Sequence, residues 1–504
     1  MKVLHKFKRS KPGLARSSSS DQPQISTGAA AEEEKGFLVG HSPQGEKKVP
    51  VYLPPDALEH HTLLVGCLNT GKTTLLEHLT VAAMERGYGV VVIDSNDDLV
   101  PKLLKRVPKE RLGKVYWLDA GDKTQGAGLN WLDITEAEED TILNGFVHAA
   151  PRIWKEFWSP HVQDALMAGV KTLLAANATL VKWGEPQFTC QDLNRLFYHE
   201  DFRRLLLDDY VHDRELRFWW TDYWEKLPEN IRLDLLAALL GRWQAFVQST
   251  VIAKSLQQPH LDVPLAFVQQ EGLILFVNQK TEAQVDHGRG ALSSLILHRV
   301  LSKVSIPTER AELRGPRRLV VVMNGTQALP DLDILWYLGY LNKAGVSFML
   351  SAQSLSAIPD KQVAPTLFAH VENLVVFRTT GHDAELIAPE LDGRVPAQAL
   401  TMLSDHECFV RTRGQHGRPQ FEALQTLPPA KGDDAVATEI EKLSERYTRS
   451  QEEVEAERRR FVEHWKEEEA KYRQQMDRLK RGGEAEGSED DPDDSEPSPS
   501  RCNS

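Results

Sequence analysis

Residues Gly66-Cys67-Leu68-Asn69-Thr70-Gly71-Lys72-Thr73 form a glycine-bounded loop closed by Lys-Thr, the pattern of a phosphate-binding P-loop. Thr62-Leu63-Leu64-Val65 before it reads as a buried strand. Lys72 to about Arg86 reads as a helix with Leu75, Leu76, Leu79 and Ala83 on one face. Strand, glycine loop and helix are the setting this motif requires. There the loop N–H groups and the helix N-terminus together hold a polyphosphate. Gly66, Asn69, Thr70, Gly71, Lys72, Thr73 and Thr74 are the expected contacts. Lys72 would reach the β- and γ-phosphates, and the Thr73 hydroxyl would hold Mg²⁺.

Working outward, residues 36–150 alternate strand and helix. Gly89–Asp94 and Val115–Asp119 are strands, with a helix around Leu99 to Val107 between them. Over residues 151–259 the strand signal stops and helical spacing takes over, as in Val162-Leu166-Val170-Leu173. Seven of the eleven tryptophans fall there, enough aromatic area to suggest that this all-α insertion has its own core. Strands return over residues 260–430, at Leu273–Val277, Leu319–Met323, Val346–Leu350 and Leu374–Phe377. The expected fold is α/β, a RecA-like P-loop NTPase core with a mainly parallel sheet split by the all-α insertion.

Residues 431–481 read as one long charged helix. Ile440, Tyr447, Val454 and Phe461 recur every seven residues, and Trp465, Tyr472 and Leu479 continue after a shift. One apolar residue per heptad is sparse for a coiled coil, so self-association and partner docking compete with a plain solvated helix. Residues 1–35 (basic, Ser-rich) and 482–504 (acidic, Ser- and Pro-rich) read as disordered tails. At 504 residues the chain is too long for a single core. No apolar run approaches the roughly 20 residues that span a bilayer, and the N-terminus lacks the apolar stretch of a secretory signal. The four scattered cysteines form no CxxC pair, which fits a reducing cytoplasm. The formal charge of −13 argues against a generally basic nucleic-acid coat but leaves room for a confined DNA channel.

Taken in order, these motifs resemble the motor domain of type IV secretion coupling proteins, the TraD/TraG-like branch of the FtsK/HerA superfamily of DNA-translocating ATPases. The carriers are Leu53-Pro54 with His61 to Thr74, Val92-Ile93-Asp94 with Asp98-Leu99, Leu350 to Leu355, and Asn373 to Glu390 with Arg378 and Asp383-Ala384-Glu385. The resemblance covers roughly residues 36–430. It implies ATP and Mg²⁺ as cofactors and DNA as substrate. It also implies a homo-oligomeric ring, usually a hexamer, with relaxase or secretion-channel proteins as partners. By position it makes Gln353 the γ-phosphate sensor and Arg378 a catalytic arginine reaching a neighbouring subunit's nucleotide. It places the chain in the cytoplasm, recruited to the inner face of the membrane.

One strand departs from the family pattern. The second nucleotide motif ends in Asp-Glu, the Asp for the Mg²⁺ shell and the Glu for the attacking water; here Val321-Val322-Met323 runs into Asn324-Gly325. Removing a catalytic base costs about 10²–10⁴ in rate. Asp94 and Asp119 also end apolar strands and are candidate stand-ins. The P-loop departs mildly, with Asn69 where the family prefers Gly. Two expectations follow: a ring translocase with weakened hydrolysis, or a non-hydrolysing nucleotide-gated scaffold that assembles with an active paralogue. A signalling GTPase is disfavoured by the absence of a guanine-reading Asn-Lys-x-Asp motif.

Overall fold

The computed structural model describes residues 36–42, 48–119, 122, 124–248, 252–279, 287–304, 317–325, 334–356, 363–413 and 418–486. The basic N-terminal tail, residues 1–35, and the chain beyond 486 lie outside them.

Among the described residues the frame is one eleven-stranded sheet. In chain order its strands are β1 (Phe37–Ser42), β2 (Val49–Leu53), β3 (Thr62–Val65), β4 (Gly89–Asp94) and β5 (Val115–Asp119). A short strand, β6 (Gln125–Ala127), stands outside it; β7 (Ile274–Asn278), β8 (Leu319–Asn324), β9 (Val346–Ala352), β10 (Asn373–Val376), β11 (Glu407–Arg413) and β12 (Pro419–Thr426) complete it. The last strand, β13 (Thr448–Ser450), pairs with β6. The spatial order is β2-β1-β12-β11-β10-β3-β9-β8-β4-β7-β5. From β10 to β5 every pairing is parallel, and the β11, β12, β1 and β2 side is antiparallel.

The apolar runs explain the centre. Val90–Ile93, Ile274–Val277 and Leu319–Met323 are buried on both faces, as parallel strands sandwiched between layers must be. Their side chains alternate between two cores. Leu63, Val65, Val91, Ile93 and Val321 face one cluster; Leu64, Val90, Val92, Val320 and Val322 face the other. The helix α1 (Lys72–Glu85) covers the second face with Leu75, Leu76 and Leu79.

The helical region opens with α2 (Glu139–Trp154) and α3 (Pro160–Trp183), and includes α4 (Glu229–Gln248); α5 (His287–Leu301) follows β7. The expected boundary at 150/151 falls inside α2, which packs along α5 of the sheet layer. The expectation of a separate core is also corrected. Leu63 and Val65 of the sheet and Trp154, Trp220, Trp224 and Trp243 of the helices belong to one continuous cluster. Stacking of Trp154 on Trp243 and hydrogen bonds from Trp154 to Leu239 O (3.0 Å) and from Trp220 to Thr172 Oγ1 (2.8 Å) fix those rings as core. Helix α3 is capped by Ser159, whose Oγ accepts from Val162 N, and ends at left-handed Gly184. It is the one helix among the described residues long and apolar enough to cross a membrane, yet 61% of its most apolar window is buried inside the protein.

The long C-terminal helix is two helices, α6 (Asp434–Ser444) and α7 (Gln451–Glu486), broken by β13, and it runs past 481. Its sparse apolar residues as far as Tyr472 find their partners in cis, whereas Leu479 is exposed. Val436 and Ile440 pack beneath the sheet, and the Tyr447 hydroxyl accepts from Trp117 N at 2.7 Å. Trp465 lies against Phe188, Phe202 and Tyr210. Arg458 makes a bidentate bond to Asp192, and Tyr472 donates to Asp208 at 2.6 Å. The segment is a strap across both layers.

Candidate nucleotide site

Parallel strands deliver their carboxyl ends to one edge, where ligands of open α/β sheets bind. The register sets a polar row along that edge: Ser351 is opposite Asn324, Asn324 opposite Asp94, Asp94 opposite Asn278, and Asn278 opposite Asp119. The strand after the P-loop helix, β4, is not the neighbour of β3; β9 and β8 lie between them. That order puts Gln353 and Asn324 beside the P-loop.

The loop between β3 and α1 is held by its backbone. Gly66 N donates to Ala352 O, and Cys67 N donates to Arg378 O at 2.7 Å. A Cβ at Gly66 would meet Phe377 Cβ at 2.7 Å; one at Gly71 would meet the His406 ring at 2.8 Å. Asn69 is left-handed at φ 59°, a region that favours glycine; asparagine is among the side chains that tolerate it best. The Lys72 ammonium is buried and turned back onto Gly66 O and Cys67 O, both at 2.6 Å. Burial holds its pKa down to about 8. A cation with only carbonyl acceptors, over a glycine cradle too tight for side chains, fits a polyphosphate.

A cavity of about 420 Å³ opens over the loop. Asn69, Thr70, Gly71, Lys72, Thr73, Thr74 and Gln353 line it, together with Asn324 and Gly325. Gly66 contributes backbone beneath. Lys102, Asn96, Asp98 and His406 also line it, and motif reading assigned none of them a role at the phosphates. His406 is left-handed (φ 66°), donates its N–H to Thr70 O at 2.9 Å, and has a buried Nδ1 without a hydrogen-bond partner. The loop beyond Gln353 is pinned by Asp383, whose carboxylate accepts from Leu355 N and Ser356 N.

Other expected residues stand elsewhere. Arg378 is outside the cavity lining; its guanidinium donates to Leu403 O at 3.2 Å and to Asp405 at 2.8 Å. Within one chain it is a strut beside its own P-loop. Asp119 lines a separate cavity with Trp117 and Thr448, so it is no stand-in at the phosphates. Asp94 is at the site but fully used. Its Oδ2 accepts from Leu99 N (2.8 Å) and Val100 N (2.9 Å), and its Oδ1 from Asn96 N (3.2 Å) and Asn324 (2.9 Å). Burial raises its pKa against those donors. Asp94 braces the loop rather than facing a ligand.

No family model matches the sequence, and no curated protein matches it. Solved structures do match. The plasmid coupling protein TrwB in complex with the non-hydrolysable ATP analogue ADPNP is 20% identical, with a TM-score of 0.55, over 81% of this chain and 94% of that one. TrwB in complex with ADP and Mg²⁺ is 20% identical, with a TM-score of 0.53, over 81% and 93%. The fold is that of the plasmid coupling protein TrwB. The RecA-like core expected from the P-loop outward thereby has a solved counterpart in fold.

Proposed function

We propose that this chain is an ATP-binding motor subunit of the coupling-protein type, acting on DNA in a ring, with slow hydrolysis. The observation that carries the reading is the cavity over the P-loop, where Lys72, Thr73 and Gln353 meet beneath glycines that admit no side chain. The likeness to a coupling protein crystallised with an ATP analogue, and with ADP and Mg²⁺, supports the same ligands here. Lys72 would leave its two carbonyls for the β- and γ-phosphates. Thr73 would join the Mg²⁺ shell, and the ion would neutralise phosphate charge. Gln353 would report the γ-phosphate to the loop that Asp383 pins. Ring formation (six subunits on the family pattern), an Arg378 that acts across subunits, a cytoplasmic site at the membrane's inner face, and relaxase or channel partners belong to this reading.

One observation favours a second reading, a nucleotide-gated scaffold. Gly325 has φ 112°, and a Cβ there would meet Asn96 Oδ1 at 3.2 Å. The position for the water-polarising carboxylate is thus built for glycine. A ligand bound only in the assembled state stabilises assembly without turnover.

Steady-state ATP hydrolysis with and without DNA, beside Lys72→Ala and a nucleotide-binding assay, separates the two. DNA-stimulated turnover that Lys72→Ala abolishes supports the motor. Tight binding without turnover above that control supports the scaffold. Absence of binding sinks both.

A further inference from the structure

The carboxylate missing from the end of β8 has a neighbour in its place. Asp98 comes from the loop after β4, one strand farther from the P-loop than β8. That loop turns through left-handed Asp97, and Asn278 donates to the Asp97 carboxylate at 2.6 Å. The turn carries Asp98 back toward α1. There the Thr73 hydroxyl donates to Asp98 Oδ2 at 2.9 Å. Its other oxygen accepts from Asn324 Nδ2 at 2.5 Å. Asp98 therefore bridges the P-loop residue that would ligate Mg²⁺ and the strand end that should have supplied an acid.

Resting on the nucleotide-binding reading, we propose that Asp98 is the metal-side carboxylate of this site, with Asn324 as the amide that positions it. The chemistry agrees on each count. Mg²⁺ takes one or two carboxylates together with substrate phosphates, not an all-protein cage. Among the described residues no group of three or more His, Cys, Asp or Glu is placed to hold a metal alone, so the site completes only with nucleotide. Asp94 is excluded as the ligand because both its oxygens are committed to the loop backbone. Asn324 is a donor to Asp94 and Asp98 at once, so an aspartate there would set three carboxylates against one another. The asparagine is thus the residue a relocated carboxylate requires. A Thr73–Asp98 hydrogen bond is also what a cation ligated by both oxygens would replace.

The test is ADP affinity of the full chain in EDTA and in Mg²⁺, with the bound metal read separately by Mn²⁺ electron paramagnetic resonance. For the wild type, Mg²⁺ should tighten ADP by at least about tenfold, in the range of one charged contact. Asp98→Asn keeps an acceptor for Thr73. Its affinity ratio between Mg²⁺ and EDTA should fall to about one whatever its affinity in EDTA, and the bound Mn²⁺ signal should be lost. Retention of the gain by Asp98→Asn, or a wild type whose binding Mg²⁺ does not tighten, overturns the assignment and leaves the nucleotide reading standing. No ADP binding by the wild type in either buffer overturns both. Asn324→Asp gives a second arm that does not depend on Asp98→Asn folding. It should melt lower than wild type in EDTA and regain more on adding Mg²⁺ and ADP. An equal or smaller gain counts against Asp98 as a metal ligand.

Discussion

The two halves of the cavity were built under different constraints. The phosphate half, Gly66 to Thr74, departs from its motif only at Asn69 and keeps two glycines pressed against neighbours, a buried lysine on carbonyls, and a hydroxyl at the helix start. The acid half, at the ends of β8 and β4, has exchanged its parts. An amide stands where an acid is expected, glycine stands beside it, and a carboxylate arrives from the next strand. The difference teaches that backbone cradles and side-chain chemistry are separable. The cradle depends on strand, turn and helix together, whereas a carboxylate needs only to reach the right point from some strand end.

Lys72→Ala attacks the phosphate half and carries the largest expected effect. Its ammonium is a buried cation at the loop, and charged hydrogen bonds are worth about 1.5–3 kcal/mol apiece. With two phosphates to meet, ATP affinity should fall on the order of 100-fold. Equilibrium dialysis showing less than a threefold loss would mean that the phosphate half is as relaxed as the acid half.

Acid should loosen the phosphate half from below. His61 precedes β3; Nε2 donates to Leu338 O at 3.0 Å and Nδ1 accepts from Phe348 N at 3.0 Å. Burial holds its pKa to about 4 against an ordinary 6.5. The unfolded chain therefore takes up the proton first. His61's contribution is fully present above pH 6.5 and is lost as pH falls from there toward 4, a change of roughly 2–3 kcal/mol. Urea midpoints across that range should show it, and His61→Gln should flatten the slope.

Gly325→Glu sharpens the comparison. Were the acid half short of a carboxylate and nothing else, restoring one would raise turnover. The backbone at φ 112° and the contact with Asn96 predict instead a cost of about 1–3 kcal/mol and no gain in ATP hydrolysis. A tenfold increase in turnover would show that the glycine is not structural.

Much of this was legible in sequence, and the limits are physical. The P-loop, the parallel strands and Gln353 depend on contiguous residues whose order carries the signal. Asp98 was visible as part of a motif, but its reach to Thr73 depends on the turn at Asp97 and on β8 and β9 lying between β3 and β4, which are tertiary facts. Asp119 ends an apolar strand as Asp94 does; only the strand order separates them. The heptad of Ile440, Tyr447 and Val454 announced an apolar stripe. What covers it, the sheet and the helical layer of the same chain, is long-range packing that periodicity does not encode.

The smallest effect tests whether the cradle tolerates its one departure. Asn69 holds a left-handed conformation that costs most side chains about 1–2 kcal/mol and glycine nothing. Asn69→Gly should leave the melting temperature within about 2 °C and ADP affinity within twofold, because the backbone already has the shape glycine would take. Asn69→Val should lose about 1–2 kcal/mol, since a β-branched side chain fits this region worst. The pair is informative only together. If valine were tolerated as well as glycine, the loop would be rearranging around residue 69, and the rigid cradle that separates the two halves of the site would have no basis.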